Sequence, residues 1–564
     1  MLTEALLSPT APGDQAIVEN AAGMKRAAAL LAALALLLVA AAVRLPNLTA
    51  GRPYINYVDE GNLLHPVVPM LRTGRWDPGW YMYPSLPLIA AAAAARIYDP
   101  FRRAAHGGRS LRDDLPPPGR EYDVLSPELL LAARIVNLLV SLALVALAGL
   151  LARRLAGQER GPRAGWTAAL LTALVPALAV RGAVAMVDPW AALFVLAALF
   201  FTDRLRTAGH PAADSLAAGA MAGFAFAAKY PAVLVGLVPA WLLLRGGRPW
   251  RGKLRLLLLL AAGGAAAAVA AMPGLVLHPT AVLAALRHQS ALYKNLASEA
   301  PLWRQALVRA EWDIPYGHPE IGTVLLLFAL GGLIAALRDR DLAPSIQGWA
   351  LFAAATLLLF SPQSFQPFRN LLPLVAPVCI LAALLWTRLS ARLARLHPLS
   401  PTLWTIGADA AGVLLVAGLF GLPLAGYVQE RLHLRDSRTE AVDWLALRLR
   451  PDDRVLVVRE LQIQPTELAR LHARIDLRPW PALLKGLRRR PVRFVVAGEP
   501  PAQGSAQGPE TLPPEDRQAL LQAFEIRARF GETPTPPDPG WWRGNRQIVY
   551  VLERREIDPQ ELQE

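Results

Sequence analysis

Two adjacent carboxylates, Asp59 and Glu60, lie in the stretch 54–88, YINYVDEGNLLHPVVPMLRTGRWDPGWYMYPSLPL, just past the first long apolar run. Further charged groups recur at the ends of other apolar runs: Arg181 and Asp188, Lys229 beside Tyr230, and Arg369. Carboxylates and cations gathered on one membrane face suit charge-separating chemistry on an amphiphile. A carboxylate base deprotonates a nucleophile while cations hold a phosphate leaving group. Trp80, Tyr83 and Tyr230 are the aromatic candidates for lining a substrate. Each residue also has a plainer reading. Asp188 precedes Pro189 and could cap a helix, Lys229 and Arg369 could be interfacial anchors, and the tryptophans and tyrosines could sit in a headgroup belt. No GxxxxGK[ST] loop, HExxH helix or paired CxxC occurs, so nucleotide-loop and zinc-site chemistry have no support. The histidines of the stretch 278–320 (His278, His288, His318) fit no zinc spacing. Its acids Glu299, Glu311 and Asp313, like the carboxylates above, define no firm cofactor and leave a divalent cation open.

These residues need a membrane to position them. Of the 564 residues 54% are hydrophobic, and the mean hydropathy of +0.32 marks a polytopic α-helical membrane protein. The charge of +14 (58 basic less 44 acidic) falls largely on arginines in short loops between apolar runs, which argues for orientation signals and against nucleic acid. The single cysteine, Cys379, excludes an intrachain disulfide. Eleven spans are expected, in about 27–43, 129–151, 164–180, 189–201, 215–228, 231–244, 256–277, 321–337, 348–360, 371–386 and 403–426. The segment 86–97 is short for a span and reads as a helix at the interface. With the N-terminus cytoplasmic, the arginine-rich loops fall inside, and the outer short loops hold only Arg181, Lys229 and Arg369. The implied location is a bacterial inner membrane.

Three regions follow from the composition: a polar tail over 1–23, a transmembrane catalytic body over 24–430 with long outer loops 45–128 and 278–320, and a C-terminal part over 431–564. The C-terminal part reads as a small extracytoplasmic α/β domain. Residues 439–449 have helical amphipathicity, and 454–459, 493–497 and 546–552 are short apolar runs with strand character.

The order of these pieces resembles glycosyltransferase family 39, the protein O-mannosyltransferase and aminoarabinose-transferase type. The pieces are VDEGNLLHPVVPMLRTGRWDP (58–78), YPSLPL (83–88), AARIVNLLVSLALVAL (132–147), RGAVAMVDPWAALFVLAALF (181–200), GFAFAAKYPAVLVGLVPAWLL (223–243) and FQPFRNLLPLVAPVCILAALL (365–385). The resemblance implies a GT-C fold, a polyprenyl-phosphate sugar donor and inverting transfer to a protein, lipid or glycan acceptor. It makes Asp59 the base, Glu60 its partner and Asp188 the second acidic position, with Lys229 and Arg369 near the lipid phosphate. Several members have a lysine before Pro-Pro-Leu in the first loop. Here that place is Tyr83-Pro84-Ser85-Leu86, so what that lysine does for the donor phosphate is done by another cation or not at all, which favours a separate bacterial branch over the aminoarabinose-transferase type.

Two other classes compete. A transporter or flippase of lipids or sugars would show inverted repeats and midplane sites, whereas no repeat is present and the charges sit at one interface. A non-catalytic assembly protein would tolerate loss of the Asp59 carboxylate.

Overall fold

The computed structural model describes residues 12–54, 58–115, 127–207, 209–295, 321–360, 368–396, 401–433, 435–461, 463–479, 492–498, 520–531 and 548–555. The carboxylates and histidine expected at 299, 311, 313 and 318 lie outside them.

The body is a bundle of apolar helices. Five, among the described residues, are long and apolar enough to cross a membrane: Ala27–Thr49, Pro127–Leu174, Trp250–Ala271, Ala343–Phe360 and Phe368–Arg395. A bent pair, Ile406–Gly421 with Leu424–Ala446, would make six. Pro127–Leu174 turns at Gly157, whose φ of 75° only glycine adopts freely, so it holds both runs expected at 129–151 and 164–180. Thr323–Leu337 and Tyr230–Arg245 are shorter apolar helices, below the roughly 20 residues that a straight crossing requires. The many-helix body is therefore present, while the count of eleven exceeds what length and apolarity alone deliver.

Small residues let these helices approach closely. A Cβ added at Gly219 would collide with the Leu260 carbonyl, and one at Gly223 with the Gly264 carbonyl. The helices Pro211–Ala228 and Trp250–Ala271 thus meet backbone to backbone, as small-residue interfaces allow. Arg44 ends the first long helix fully buried and ties it to the hairpin, donating to Ser141 Oγ at 2.8 Å and the Ala173 carbonyl at 2.9 Å. Such a charge persists in an apolar interior because acceptors surround it.

The segment expected at the interface forms the helix Ser85–Ala105. It buries Leu88, Ala91, Ala92 and Ala95 on one face and leaves Ile97 and Phe101 exposed, an amphipathic stripe at helical spacing. Asp99 fixes its end, accepting from the Leu111 amide at 2.5 Å and Ser110 Oγ at 3.0 Å.

After the helix Ser437–Ala446 comes a five-stranded sheet of β1 (Arg454–Val458), β2 (Arg474–Arg478), β3 (Phe494–Gly498), β4 (Phe524–Phe530) and β5 (Val549–Arg554), in the order β2-β1-β3-β5-β4. β1 pairs parallel with β2 and β3, and β5 pairs antiparallel with β3 and β4. The central β1 and β3 are the apolar runs that the sequence exposes. The edges β2 (RIDLR) and β4 (FEIRARF) carry alternating charges that discourage edge-to-edge pairing, and the same charges hide them from an apolar reading.

Candidate active site

Asp59 sits in the first turn of the helix Val58–Leu64. It is 3% exposed and engaged by residues from two distant segments. Tyr83, just before Pro84 starts the Ser85–Ala105 helix, donates its phenol to Asp59 Oδ1 at 2.9 Å. Arg369, in the short turn Phe368–Leu371, forms an ion pair with Asp59 Oδ2.

The next residue extends the network. Asn370 Oδ1 accepts from Lys229 Nζ at 2.8 Å, and the same ammonium contacts Asp188 Oδ1 at 2.5 Å. Asp188, 2% exposed, opens the helix Asp188–Thr207. Lys229 follows the last residue of the helix Pro211–Ala228 and is itself extended, at φ −155° and ψ 117°, which ends the helical run there. Four ends of elements thus place two buried carboxylates and two cations in one chain of contacts. Asn370 is a member that the sequence reading missed, although it directly follows Arg369.

Burial pushes the Asp59 carboxyl above its ordinary range. Arg369 opposes that rise, the charge of Asp188 adds to it, and the Tyr83 hydrogen bond and Lys229 oppose it further. Tyr83 is pushed up in turn, by burial and then by the Asp59 charge, so its phenol stays a donor. A carboxylate with a raised pKa is the stronger base toward a hydroxyl proton.

Glu60, the expected catalytic partner, stands apart from this network. It is 0% exposed and chelated by Arg134, with Nε to Oε1 at 2.7 Å and a second guanidinium nitrogen to Oε2 at 2.9 Å. The Ala185 amide also donates to Oε1 at 3.2 Å, and Arg134 reaches the Ala50 carbonyl at 3.0 Å. With both oxygens occupied and no exposure, Glu60 holds the Asp59-bearing turn against the helix Pro127–Leu174. Successive helical residues point about 100° apart, so the two adjacent acids face different partners, Tyr83 and Arg369 for Asp59 and Arg134 for Glu60. Arg134 and Asn137 lie inside an apolar run, and that placement was the signal for a functional or structural partner.

Arg181 ends the short helix Pro176–Arg181 and donates to the Ala177 carbonyl at 3.3 Å. Its guanidinium lies 5.9 Å from the Phe368 ring, so it neighbours the turn that carries Arg369. Trp80 stacks on Tyr83, with centroids 5.8 Å apart and planes 9° apart. Tyr230 donates to the Tyr81 carbonyl at 2.7 Å, Tyr81 to Asp77 at 2.7 Å, and Gln289 to the Met82 carbonyl at 2.8 Å. The aromatic loop 76–83 is therefore pinned from the second long loop as well. His278, 3.4 Å from Asp77, belongs to that pinning. Among the described residues no group of three or more His, Cys, Asp or Glu converges to hold a metal ion.

The described architecture is a bundle of apolar helices followed by a small mixed sheet. It matches the crystal structure of ArnT from Cupriavidus metallidurans in the apo state with a TM-score of 0.51, at 15% identity, over 94% of this chain and 98% of that one. ArnT from the same organism bound to undecaprenyl phosphate gives 0.48 at 15% identity, over 93% and 97%. Archaeal oligosaccharyltransferase AglB from Archaeoglobus fulgidus, in complex with an inhibitory peptide and a dolichol-phosphate, gives 0.49 at 11%, over 84% and 70%. The family model for dolichyl-phosphate-mannose-protein mannosyltransferase matches residues 125–276. The resemblance to glycosyltransferase family 39 thus stands in the stretch that carries Arg134, Arg181, Asp188 and Lys229. No curated protein matches the chain by sequence.

Proposed function

We propose that this protein is an inverting membrane glycosyltransferase that moves a sugar from a polyprenyl-phosphate donor to an acceptor on the extracytoplasmic face. The observation that carries the proposal is the buried Asp59 held between Tyr83 and Arg369, one residue from the contact that links Lys229 to Asp188. In this reading Asp59 takes the proton of the acceptor hydroxyl. The acceptor oxygen bonds to the anomeric carbon as the bond from that carbon to the phosphate oxygen breaks, and the electron pair leaves with the phosphate. Arg369 and Lys229, with Arg181 close behind, supply the cations for that charge. They also fill the place of the lysine absent before Pro84.

As it stands, Arg369 is neutralised by Asp59 and Lys229 by Asp188. An arriving phosphate competes with Asp59 for Arg369, so donor binding would release the base at the moment it is needed. Trp80 and Tyr83 offer a flat aromatic surface for the sugar.

The test uses the full chain in lipid with a panel of radiolabelled polyprenyl-phosphate sugars and membrane extract as acceptor, comparing wild type with Asp59→Asn. Loss of general-base help predicts transfer lower by ~10²–10⁴-fold in the variant. Equal transfer by both would remove Asp59 from that role. Movement of labelled lipid across vesicles without transfer would favour a flippase.

A further inference from the structure

The helices that carry the Asp59 network end in a second charged site. Leu372–Leu396 starts beside Arg369, and at 1.5 Å per residue Arg388–Arg395 lie roughly 25–35 Å further along. The helix bearing Arg134 likewise reaches its Gly157 turn about 35 Å away. There a cavity of about 510 Å³ is lined by Glu159 and Arg160 from the turn, by Arg338 and Asp339 after Thr323–Leu337, and by Arg388, Arg392 and Arg395. Five guanidinium groups thus face two carboxylates, a surplus of three positive charges.

Arg388 pairs with Asp339 at 2.6 Å. Among the described residues none of the other four arginines has a carboxylate partner. Arginines at the same end of other helices differ. Arg154 and Arg206 pair with Asp203 at 3.0 and 2.8 Å, and Arg204 pairs with Asp214 at 2.9 Å. The general bias toward arginine on one face of the membrane does not by itself gather five guanidinium groups around one cavity. The cavity already carries the repulsion that an anion would relieve. Aliphatic side chains surround it on the same helices: Ile334, Leu337, Leu389 and Leu393 are 43%, 38%, 37% and 51% exposed.

We propose that this cavity binds the phosphodiester headgroup of an anionic phospholipid, in the leaflet opposite the Asp59 site. Guanidinium groups are suited to bidentate phosphate contacts, and basic pockets between membrane helices are suited to multiply charged headgroups. The exposed leucines and Ile334 would take up the acyl chains, which a soluble anion lacks.

Native mass spectrometry of the full chain in detergent tests this, with cardiolipin, phosphatidylcholine or inorganic phosphate added. The variant is Arg160→Gln/Arg392→Gln/Arg395→Gln, which breaks no ion pair and should keep the wild-type thermal midpoint without lipid. Wild type should hold cardiolipin at least tenfold more tightly than the variant, and phosphatidylcholine should bind both weakly. Cardiolipin held equally by both chains would overturn the proposal. Displacement of the lipid by low-millimolar inorganic phosphate would do so too, and would mark a soluble-anion site. Should the triple variant fail to fold, Arg392→Gln and Arg395→Gln singly should each weaken cardiolipin binding two- to threefold, and unchanged binding in both would equally overturn it. The readout is independent of sugar transfer.

Discussion

Replacing Glu60 by Gln separates support from chemistry. In the folded protein Glu60 and Arg134 have side-chain exposures of 0% and 2%, so neither charge can turn to water. Removing one partner of such a pair typically costs 3–5 kcal/mol, because the other is left buried and uncompensated. In Glu60→Gln the Arg134 guanidinium keeps only neutral acceptors, the carbonyls of Ala50 and Leu48 and the new side-chain amide oxygen. Replacing both residues with apolar ones of similar volume removes the stranded charge as well. Glu60→Leu/Arg134→Met should therefore recover much of the loss, giving a coupling energy of roughly 2–3 kcal/mol in a double-mutant cycle. The assay is the apparent thermal midpoint in detergent for wild type, Glu60→Gln, the singles Glu60→Leu and Arg134→Met that close the cycle, and the double, with transfer measured at a temperature where each is folded. The expected result is a loss of several degrees in Glu60→Gln, partial recovery in the double variant, and transfer that follows the folded fraction. A Glu60→Gln protein with the wild-type midpoint but transfer down by two orders of magnitude would refute the argument and return Glu60 to the chemistry.

The remaining predictions concern the network itself. The raised pKa of Asp59 means that the folded state binds its proton more tightly than the unfolded chain. That contribution favours the fold fully below the ordinary Asp range near pH 4 and is lost as pH rises through the higher folded value. Asp59→Asn, uncharged throughout, should gain stability relative to wild type as pH rises from about 4 to 8, and parallel midpoint curves would contradict the assigned direction. Lys229→Gln leaves Asp188 buried without its cation and should cost ~3 kcal/mol or more in stability. It should also weaken donor binding, read as a raised KM for the polyprenyl-phosphate sugar, whereas Lys229→Arg should restore part of both. A Lys229→Gln protein of normal stability and KM would remove this contact from the site.

What the sequence made legible follows from what each residue had to do locally. Asp59, Asp188, Lys229 and Arg369 stood out because charges at the ends of apolar runs are costly, and the structure joins all four in one network. Their pairing was not legible. Arg369 lies 310 residues from Asp59 and Lys229 lies 41 from Asp188, and nothing in local pattern chooses between a carboxylate and a lipid phosphate as the partner of a cation. Glu60 shows the opposite limit. Adjacency to Asp59 suggested a shared task, yet the helical turn sends its side chain to Arg134. The charge of Arg134 was hidden in an apolar run whose average hydropathy concealed it. β2 and β4 escaped for the same kind of reason, since edge strands are selected to look unlike strands. The apolar runs at 189–201 and 215–228 extend into helices of 20 and 18 residues, Asp188–Thr207 and Pro211–Ala228, whose polar and charged ends keep them out of a count made on apolarity. Their helices close the bundle through buried contacts such as Ala191, Val195, Ala218 and Ala222. Apolarity in this chain therefore serves two solvents, lipid outside and protein inside, and only packing distinguishes them. The charges at the ends of apolar runs mark the candidate site, because either solvent admits them only with a partner.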